Sequence, residues 1–455
     1  MMSAPDLAGR RVTVAGAARS GVAAAELLVR IGARVTLSES SDRIDEASKL
    51  QQLGVQLERG GHRVDTFTNA DLVVLSPGVP PDRDVVRAAR ARGVPVIGEV
   101  ELASRYLQGR VIAITGTKGK STTTTLAGRI LEAAGFRVSL GGNIGIPLCA
   151  QVDRSTPHTL HVVETSSFQL EQIDRFHPWI AVMLNFSPDH LDRHRDVAAY
   201  RAAKARVFEN QDATDFAVVN ADDPTVLRLA QNGRAALRLF GRRAGLSRGT
   251  TVEQGWVVSR EETRTARLLP LSAVHLLGPH LIDDVLAAAT VGVLAGATST
   301  AMTAAVEGFR GLEHAMEVVS DVQGVRFVND SKATNVEAAL KSIESFEGGV
   351  VPIMGGRYKG GDFRMLREPL VARAKAVVTI GEAAAQIEDA LSSALPVRHA
   401  ASLEEAVALA FAEARPSGVV LLAPACSSFD MFEDYAERGR QFKEEVARLT
   451  RRAIG

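Results

Sequence analysis

Residues 116–122 read Gly-Thr-Lys-Gly-Lys-Ser-Thr, two glycines three positions apart followed by a lysine and a hydroxyl side chain. Gly116 and Gly119 let the backbone N–H groups of Thr117 and Lys118 close around a chain of phosphates. Lys120 adds a point charge, and the Ser121 hydroxyl, followed by Thr122 in the same loop, is a hard oxygen of the kind a magnesium ion takes. The loop is shorter than the usual Gly-x4-Gly-Lys-[Ser/Thr] pattern, so its flanking elements carry part of the argument. A β-branched run at 111–114 reads as a buried parallel strand, and an amphipathic helix to about residue 134 follows the loop. Strand, tight turn and positively polarised helix N-terminus together make a site for a nucleoside triphosphate.

Other groups with chemistry sit at predicted strand ends. The strand at 159–163 stops at Glu164, an acid placed to hold magnesium or an attacking water, though position alone also allows a surface carboxylate. A glycine-rich turn at 141–145 presents Asn143. The strand at 180–184 runs into a polar stretch holding Asp189, His190, Asp192, Arg193 and His194. Histidine is an unusual magnesium ligand, so chemistry by itself favours Asp189 or Asp192 there. In the helix at 197–209, Lys204 taken alone reads as a solvated helix lysine.

The totals bound what these residues can belong to. At 455 residues, with about 100–200 per domain, three domains are expected. Composition is globular, 46% hydrophobic and 23% charged, and 53 basic side chains balance 53 acidic ones, which leaves no global attraction for nucleic acid or an anionic membrane. Two cysteines, Cys149 and Cys426, argue against a disulfide framework and fit a reducing cytoplasm. Neither a signal peptide nor an apolar run of about 18 residues is present, so a cytoplasmic protein that touches no membrane is expected.

Along the chain, strands at 11–15 and 34–38 flank the turn Gly16-Ala17-Ala18-Arg19-Ser20-Gly21 and a helix to about residue 31. That is the first β-α-β of a dinucleotide fold with alanine at the middle glycine position. A strand at 72–75 ends in Ser76-Pro77-Gly78, residues 94–97 close this unit, and 98–101 begin a link. Residues 231–270 read as irregular, short exposed strands, and 281–297 as an apolar helix that is core rather than site. The pattern changes near Gly308 to Leu312, after which strands and helices alternate again. Three polar clusters there each follow a predicted strand: 329–335, 355–362 and 426–430. The expected fold is therefore α/β throughout: a Rossmann-like N-terminal domain at 1–98, a central P-loop ATPase domain at 99–311, and a Rossmann-like C-terminal domain at 312–455.

Taken together these loops resemble the Mur ligases of peptidoglycan synthesis over essentially the whole chain. The phosphate loop is shared across that superfamily, folylpolyglutamate synthase included. Ser166-Ser167-Phe168-Gln169-Leu170, Asp330-Ser331-Lys332-Ala333-Thr334-Asn335, and Cys426-Ser427-Ser428-Phe429-Asp430 with Arg438-Gly439 are similar to the glutamate-adding branch. The resemblance implies ATP and magnesium as cofactors, UDP-N-acetylmuramoyl-L-alanine and D-glutamate as substrates, and an acyl-phosphate intermediate. By motif, Lys120 and its loop would hold the ATP phosphates, Ser121 and Glu164 one magnesium, and His190 a second. Lys204 would react with carbon dioxide to become a carbamate, which reverses its isolated reading. Arg19, Ser20, Gly78 and Asn143 would face the nucleotide sugar, Asp330 and Lys332 the ATP, and Thr334, Lys359, Ser428 and Tyr435 the incoming glutamate. Closure of the last domain over the central one and a monomeric chain are expected.

Three departures stand out. Lys118 occupies a position where asparagine is usual, His280-Leu281-Ile282-Asp283-Asp284 replaces His-Asn-x-x-Asn, and Ala315 follows His314 in place of arginine. Lys118 is positioned in sequence to offset the charge lost at Ala315. Competing readings are a P-loop switch, a related ligase with another amino acid such as L-glutamate, and a UDP-sugar binder without turnover.

Overall fold

Short apolar runs alternating with helices build three sheets, and in each the polar loops leave the carboxyl ends of the strands. The computed structural model describes residues 6–190, 193–231, 233–242, 246, 248–262, 264–275, 280–358 and 360–454. Met1–Val274 with Ile282–Gly308 form one compact unit that holds two of the sheets.

The first sheet is five parallel strands in the order Gln56–Glu58, Arg34–Ser38, Arg11–Ala15, Leu72–Leu75, Val96–Gly98. Val12, Val14, Leu37, Val73 and Val74 are buried because parallel strands are covered on both faces, here on one side by Ala24, Leu27 and Leu28 of helix Arg19–Arg30. Residues 99–101, read as the start of a link, instead open a buried helix, Glu99–Ser104. Its Glu101 can be buried because one carboxylate oxygen accepts the N–H groups of Asp174, Arg175 and Phe176 at 2.8–2.9 Å and the other pairs with Arg105 at 2.7 Å.

The second sheet has nine strands, ordered Arg264–Pro270, Trp256–Glu261, Gly249–Glu253, Ala236–Phe240, Phe216–Asn220, Ile180–Met183, Arg110–Thr115, Thr159–Glu164, Arg137–Gly142. The last of these was not anticipated, and it absorbs Gly141 and Gly142 of the expected turn. Residues 231–270 also differ from the sequence reading. They extend the sheet through an antiparallel meander whose Val257, Val258 and Leu269 are buried, and interspersed arginines had hidden the alternation.

His275–Leu281 and Phe309–Gly455 form the other unit. Its six strands are ordered Glu317–Val322, Val325–Asn329, Gly418–Leu422, Val350–Gly355, Val377–Ile380, Val397–His399, all parallel except the first, an antiparallel edge strand. Helix Tyr435–Ile454 closes over the carboxyl end of Val325–Asn329 through Gly439, where a Cβ would lie 2.2 Å from Nδ1 of the buried His314. Only glycine permits that approach.

Candidate active site

The phosphate loop is pinned before any ligand arrives. Gly116 (φ 152°) and Gly119 (φ 79°) turn the chain from strand Arg110–Thr115 into helix Lys120–Ala133. The Thr117 N–H donates to the Asn185 carbonyl at 3.1 Å, and the Lys118 N–H to Asn185 Oδ1 at 2.9 Å. The Thr117 hydroxyl donates to the Ser187 carbonyl at 3.0 Å. Lys120 Nζ folds back onto the Thr117 carbonyl at 2.9 Å, which puts its charge over the loop. Lys118 is exposed, and Ser121 and Thr122 are half-buried in the first helical turn.

Beside this loop the structure gathers two predicted residues, Ser121 and Asn143, around a third, the buried carboxylate Glu164. Ser121 Oγ donates to Glu164 Oε2 at 2.7 Å, Asn143 Nδ2 to Glu164 Oε1 at 2.8 Å, and the Asn143 N–H to the Glu164 carbonyl at 2.9 Å. Glu164 is 2% exposed, so the surface-carboxylate reading does not hold. Hydroxyl and carboxylate oxygens in this setting suit a hard divalent cation.

Lys204 is also 2% exposed. Its Nζ donates to the Gly116 carbonyl at 2.6 Å and sits 4.8 Å from the centre of the Tyr200 ring. Burial, then the nearby Lys120 charge, bring its pKa down to about 7, while Asp189 and Glu164 pull the other way. A large fraction of this amine is therefore neutral at neutral pH, which a solvated helix lysine never is.

His190 is held differently. Its backbone is left-handed (φ 53°), its side chain is half exposed, and its ring meets Phe168 and Tyr200 edge-on at 5.1 and 6.1 Å. Among the described residues no hydrogen bond joins that ring to Ser121, Glu164 or Lys204. Asp189 accepts the His190 N–H at 2.9 Å, and Asp192 lies outside the described residues.

Two features of the site went unassigned in the sequence reading. His194 is buried between Phe168 and Tyr200, with Nε2 2.9 Å from Ser167 Oγ and Nδ1 3.0 Å from a Glu171 oxygen. The Tyr200 hydroxyl lies 3.2 Å from Thr117 Oγ1, so an aromatic wall joins the loop to the Lys204 helix. Tyr200 stands four residues before Lys204, a same-face spacing that could have drawn notice. The second feature is the place of Asp284, noted in sequence only as standing where the family has an asparagine, in helix His280–Ala295. Asp284 is 3% exposed, and its Oδ1 lies 2.0 Å from where a Cβ on Gly119 would be. Burial drives its carboxyl well above the usual carboxylate range, against the pull of Thr123 and Lys120.

Elsewhere in this unit, Arg19 is exposed and Ser20 half-buried at the start of helix Arg19–Arg30, and Gly78 is exposed after strand Leu72–Leu75. Glu39 accepts the Ala17 N–H at 2.6 Å, so the acid ending the second strand fixes the first turn.

The other unit brings its three polar clusters to one edge of its sheet. The Ala425 N–H donates to the Ala333 carbonyl at 3.0 Å, and Arg357 and Ser427 exchange backbone hydrogen bonds at 2.9 and 3.1 Å. Asp330 is buried, accepting the Met316 N–H at 3.1 Å and the Ser342 hydroxyl. Lys332 is exposed, Thr334 half-buried, Ser428 buried and Tyr435 40% exposed, while Lys359 lies outside the described residues.

Fold and loop together define a phosphate-loop α/β protein, and comparison with known proteins narrows that class. Residues 10–98 match the Mur ligase MurD-like N-terminal domain, 114–292 the Mur ligase middle domain, and 314–426 the Mur ligase glutamate ligase domain. The chain is 47% identical over 446 residues to the UDP-N-acetylmuramoylalanine--D-glutamate ligase of Acidobacterium capsulatum, covering 97% of each. It is 44% identical to the enzyme of that name from Koribacter versatilis, covering 98% of each. Among solved structures it resembles a UDP-N-acetylmuramate-alanine ligase from Thermotoga maritima (TM-score 0.59, 19% identity, 97% of this chain and 100% of that one). A MurF ligase from the same organism in complex with ADP gives TM-score 0.59 at 16% identity, covering 99% and 98%. Those two likenesses speak for the fold. The chain belongs to the Mur ligase family.

Proposed function

We infer that this chain is an ATP-dependent amide ligase that joins D-glutamate to UDP-N-acetylmuramoyl-L-alanine in peptidoglycan synthesis. The observation that carries the chemistry is the buried Lys204 amine at the Gly116 carbonyl, beside a phosphate loop and the buried Glu164. The near full-length identity to D-glutamate ligases supports the choice of substrates.

A carboxylate is a poor electrophile, so condensation with an amine needs activation. Transfer of the terminal phosphoryl group of ATP to the alanine carboxylate forms a P–O bond and releases ADP. The glutamate nitrogen then attacks the acyl carbon, loses a proton, and expels phosphate from a tetrahedral intermediate. The Thr117 and Lys118 N–H groups, expected to close around the phosphates, are engaged by Asn185, so Lys120 and the N–H groups at the start of helix Lys120–Ala133 are left to hold the transferring phosphates. Ser121 and Glu164 would hold a magnesium ion, whose charge would offset the repulsion between two anions. Lys204, as the neutral amine, can add carbon dioxide and lose a proton, exchanging a repelling cation for a carbamate oxygen donor, and His190 is the candidate for a second ion.

Arg19, Ser20, Gly78 and Asn143 are assigned to the nucleotide sugar, Asp330 and Lys332 to ATP, and Thr334, Lys359, Ser428 and Tyr435 to glutamate. The chain is proposed to act as a cytoplasmic monomer; no helix among the described residues is long and apolar enough to cross a membrane. Phosphate release measured with each substrate omitted in turn tests the reading. Release should require both UDP-N-acetylmuramoyl-L-alanine and D-glutamate, with L-glutamate inactive. ATP hydrolysis indifferent to the amino acid would identify a switch instead.

A further inference from the structure

Arg438, in the first turn of helix Tyr435–Ile454, is fully buried, and among the described residues no carboxylate comes within ion-pair distance of it. Such a charge is expensive unless its donors are satisfied. They are satisfied by backbone and hydroxyl oxygens. Nε donates to Ser331 Oγ at 2.9 Å, Nη2 to the Ser331 carbonyl at 2.9 Å, and Nη1 to the Cys426 carbonyl at 3.3 Å. Nη1 also lies 3.3 Å from the place a Cβ would take on Gly356. A single guanidinium thus bonds two of the polar clusters at this sheet edge, 329–335 and 426–430, and leaves no room for a side chain at Gly356 in the third. The Ser331 hydroxyl passes the connection on, donating to the Tyr435 carbonyl at 2.7 Å.

We propose that Arg438 is a positioning and specificity residue, its planar fork fixing the relative placement of the loops that carry Thr334, Ser428 and Tyr435 while its unpaired positive charge favours an acidic amino acid between them. The proposal rests on the assignment of this unit to glutamate. Five donors in a rigid plane can hold two loops at once, with the Ser331 hydroxyl extending the link to Tyr435, which the single ammonium of lysine cannot do. Burial lowers the guanidinium pKa only to about 10, with Cys426 and the Asp430 carboxylate, which lies beyond ion-pair distance, pulling the other way, so the charge persists at neutral pH. The nucleotide-facing residue Asp330 has anchors of its own, Met316 and Ser342, so the fork matters more to the amino acid than to ATP.

The test is steady-state phosphate release by the full chain for Arg438→Lys and for Ser331→Ala, which removes only the hydroxyl link, with melting temperature recorded for each. The KM for D-glutamate should rise at least tenfold in Arg438→Lys and severalfold in Ser331→Ala, while the KM for ATP stays within about threefold. A neutral competitor, D-glutamine, should lose less than D-glutamate does. Equal rises in both KM values, or a lowered melting temperature with the glutamate KM unchanged, would overturn the proposal. Wild-type enzyme that ignores glutamate altogether would instead sink the functional reading on which it rests.

Discussion

Lys204 and Arg438 are both cations stripped of water, one in each compact unit, and they end in opposite states. Lys204 has its Gly116 hydrogen bond and the Tyr200 ring, and a second lysine close by; its pKa falls to about 7. Arg438 has three oxygen acceptors and falls only to about 10. At pH 7 the first is about half neutral and the second is charged by about a thousand to one. Burial penalises charge in both, so the outcome is set by where each side chain starts and by how many donors are met. The lysine becomes a nucleophile that can be modified; the arginine remains a fixed brace.

The largest effect should come from exchanging those two characters. Lys204→Arg keeps a cation at the site yet cannot become neutral or form a carbamate, so phosphate release should fall about 10³-fold, as severely as in Lys204→Ala. An arginine variant retaining a tenth of wild-type turnover would mean that charge, and not the neutral amine, is what the site uses.

A milder version of the same question uses pH. Because Lys204 titrates near 7, its neutral fraction drops about fivefold from pH 7 to pH 6 and about tenfold for each unit below that. With dissolved carbon dioxide held constant, kcat should fall on the acid side at least as steeply as this, because carbamate formation releases a second proton, and added bicarbonate should raise activity more at pH 6.5 than at pH 8. A flat profile from pH 8 to pH 6 would break the contrast with Arg438, whose charge does not change in that range.

How much of this was readable beforehand differs between the two regions for a physical reason. Phosphate-loop residues are adjacent in sequence, so Gly116 to Ser121 announced themselves, and strands such as Arg11–Ala15 and Gly418–Leu422 showed in their β-branched runs. The burial of Lys204 was only partly visible locally: Tyr200, one turn earlier on helix Val197–Ala205, hints at it, but the Gly116 carbonyl that receives its amine is 88 residues away. Arg438 lies 107 residues from its partner Ser331, and no periodicity encodes such a contact. Asp284 was noted in sequence only as replacing a family asparagine, because its place against Gly119 exists only in three dimensions.

Asp284 offers a third buried ionisable group, this time an acid. Its raised folded pKa means that the folded state holds the proton more tightly than the unfolded chain, so stability is lost as pH rises above about 4, where an unfolded aspartate ionises. Asp284→Asn has no such loss. Its melting temperature should exceed wild type at pH 8 by an amount equivalent to about 1–3 kcal/mol, and the gap should narrow toward pH 5. If the variant is less stable at pH 8, the carboxylate is ionised and useful, and burial beside the phosphate loop does not neutralise acids as it does Lys204.

The smallest effect should come from an exposed cation on the same loop, the control for the buried ones. Lys118 keeps its backbone N–H on Asn185 Oδ1 whatever its side chain, so Lys118→Asn leaves the loop geometry in place and removes only a solvated charge. Screened charges at a surface are worth about 0.2–1 kcal/mol, so the KM for ATP should rise only about two- to fivefold, and the rise should fade in high salt. An unchanged KM would show that Lys118 does not offset the arginine missing at position 315, and a tenfold or larger increase would show that this ammonium is desolvated once the nucleotide is bound. In the second case exposure in the free protein would be a poor guide to function on this loop, and the distinction between buried and exposed cations would have to be drawn in the nucleotide complex.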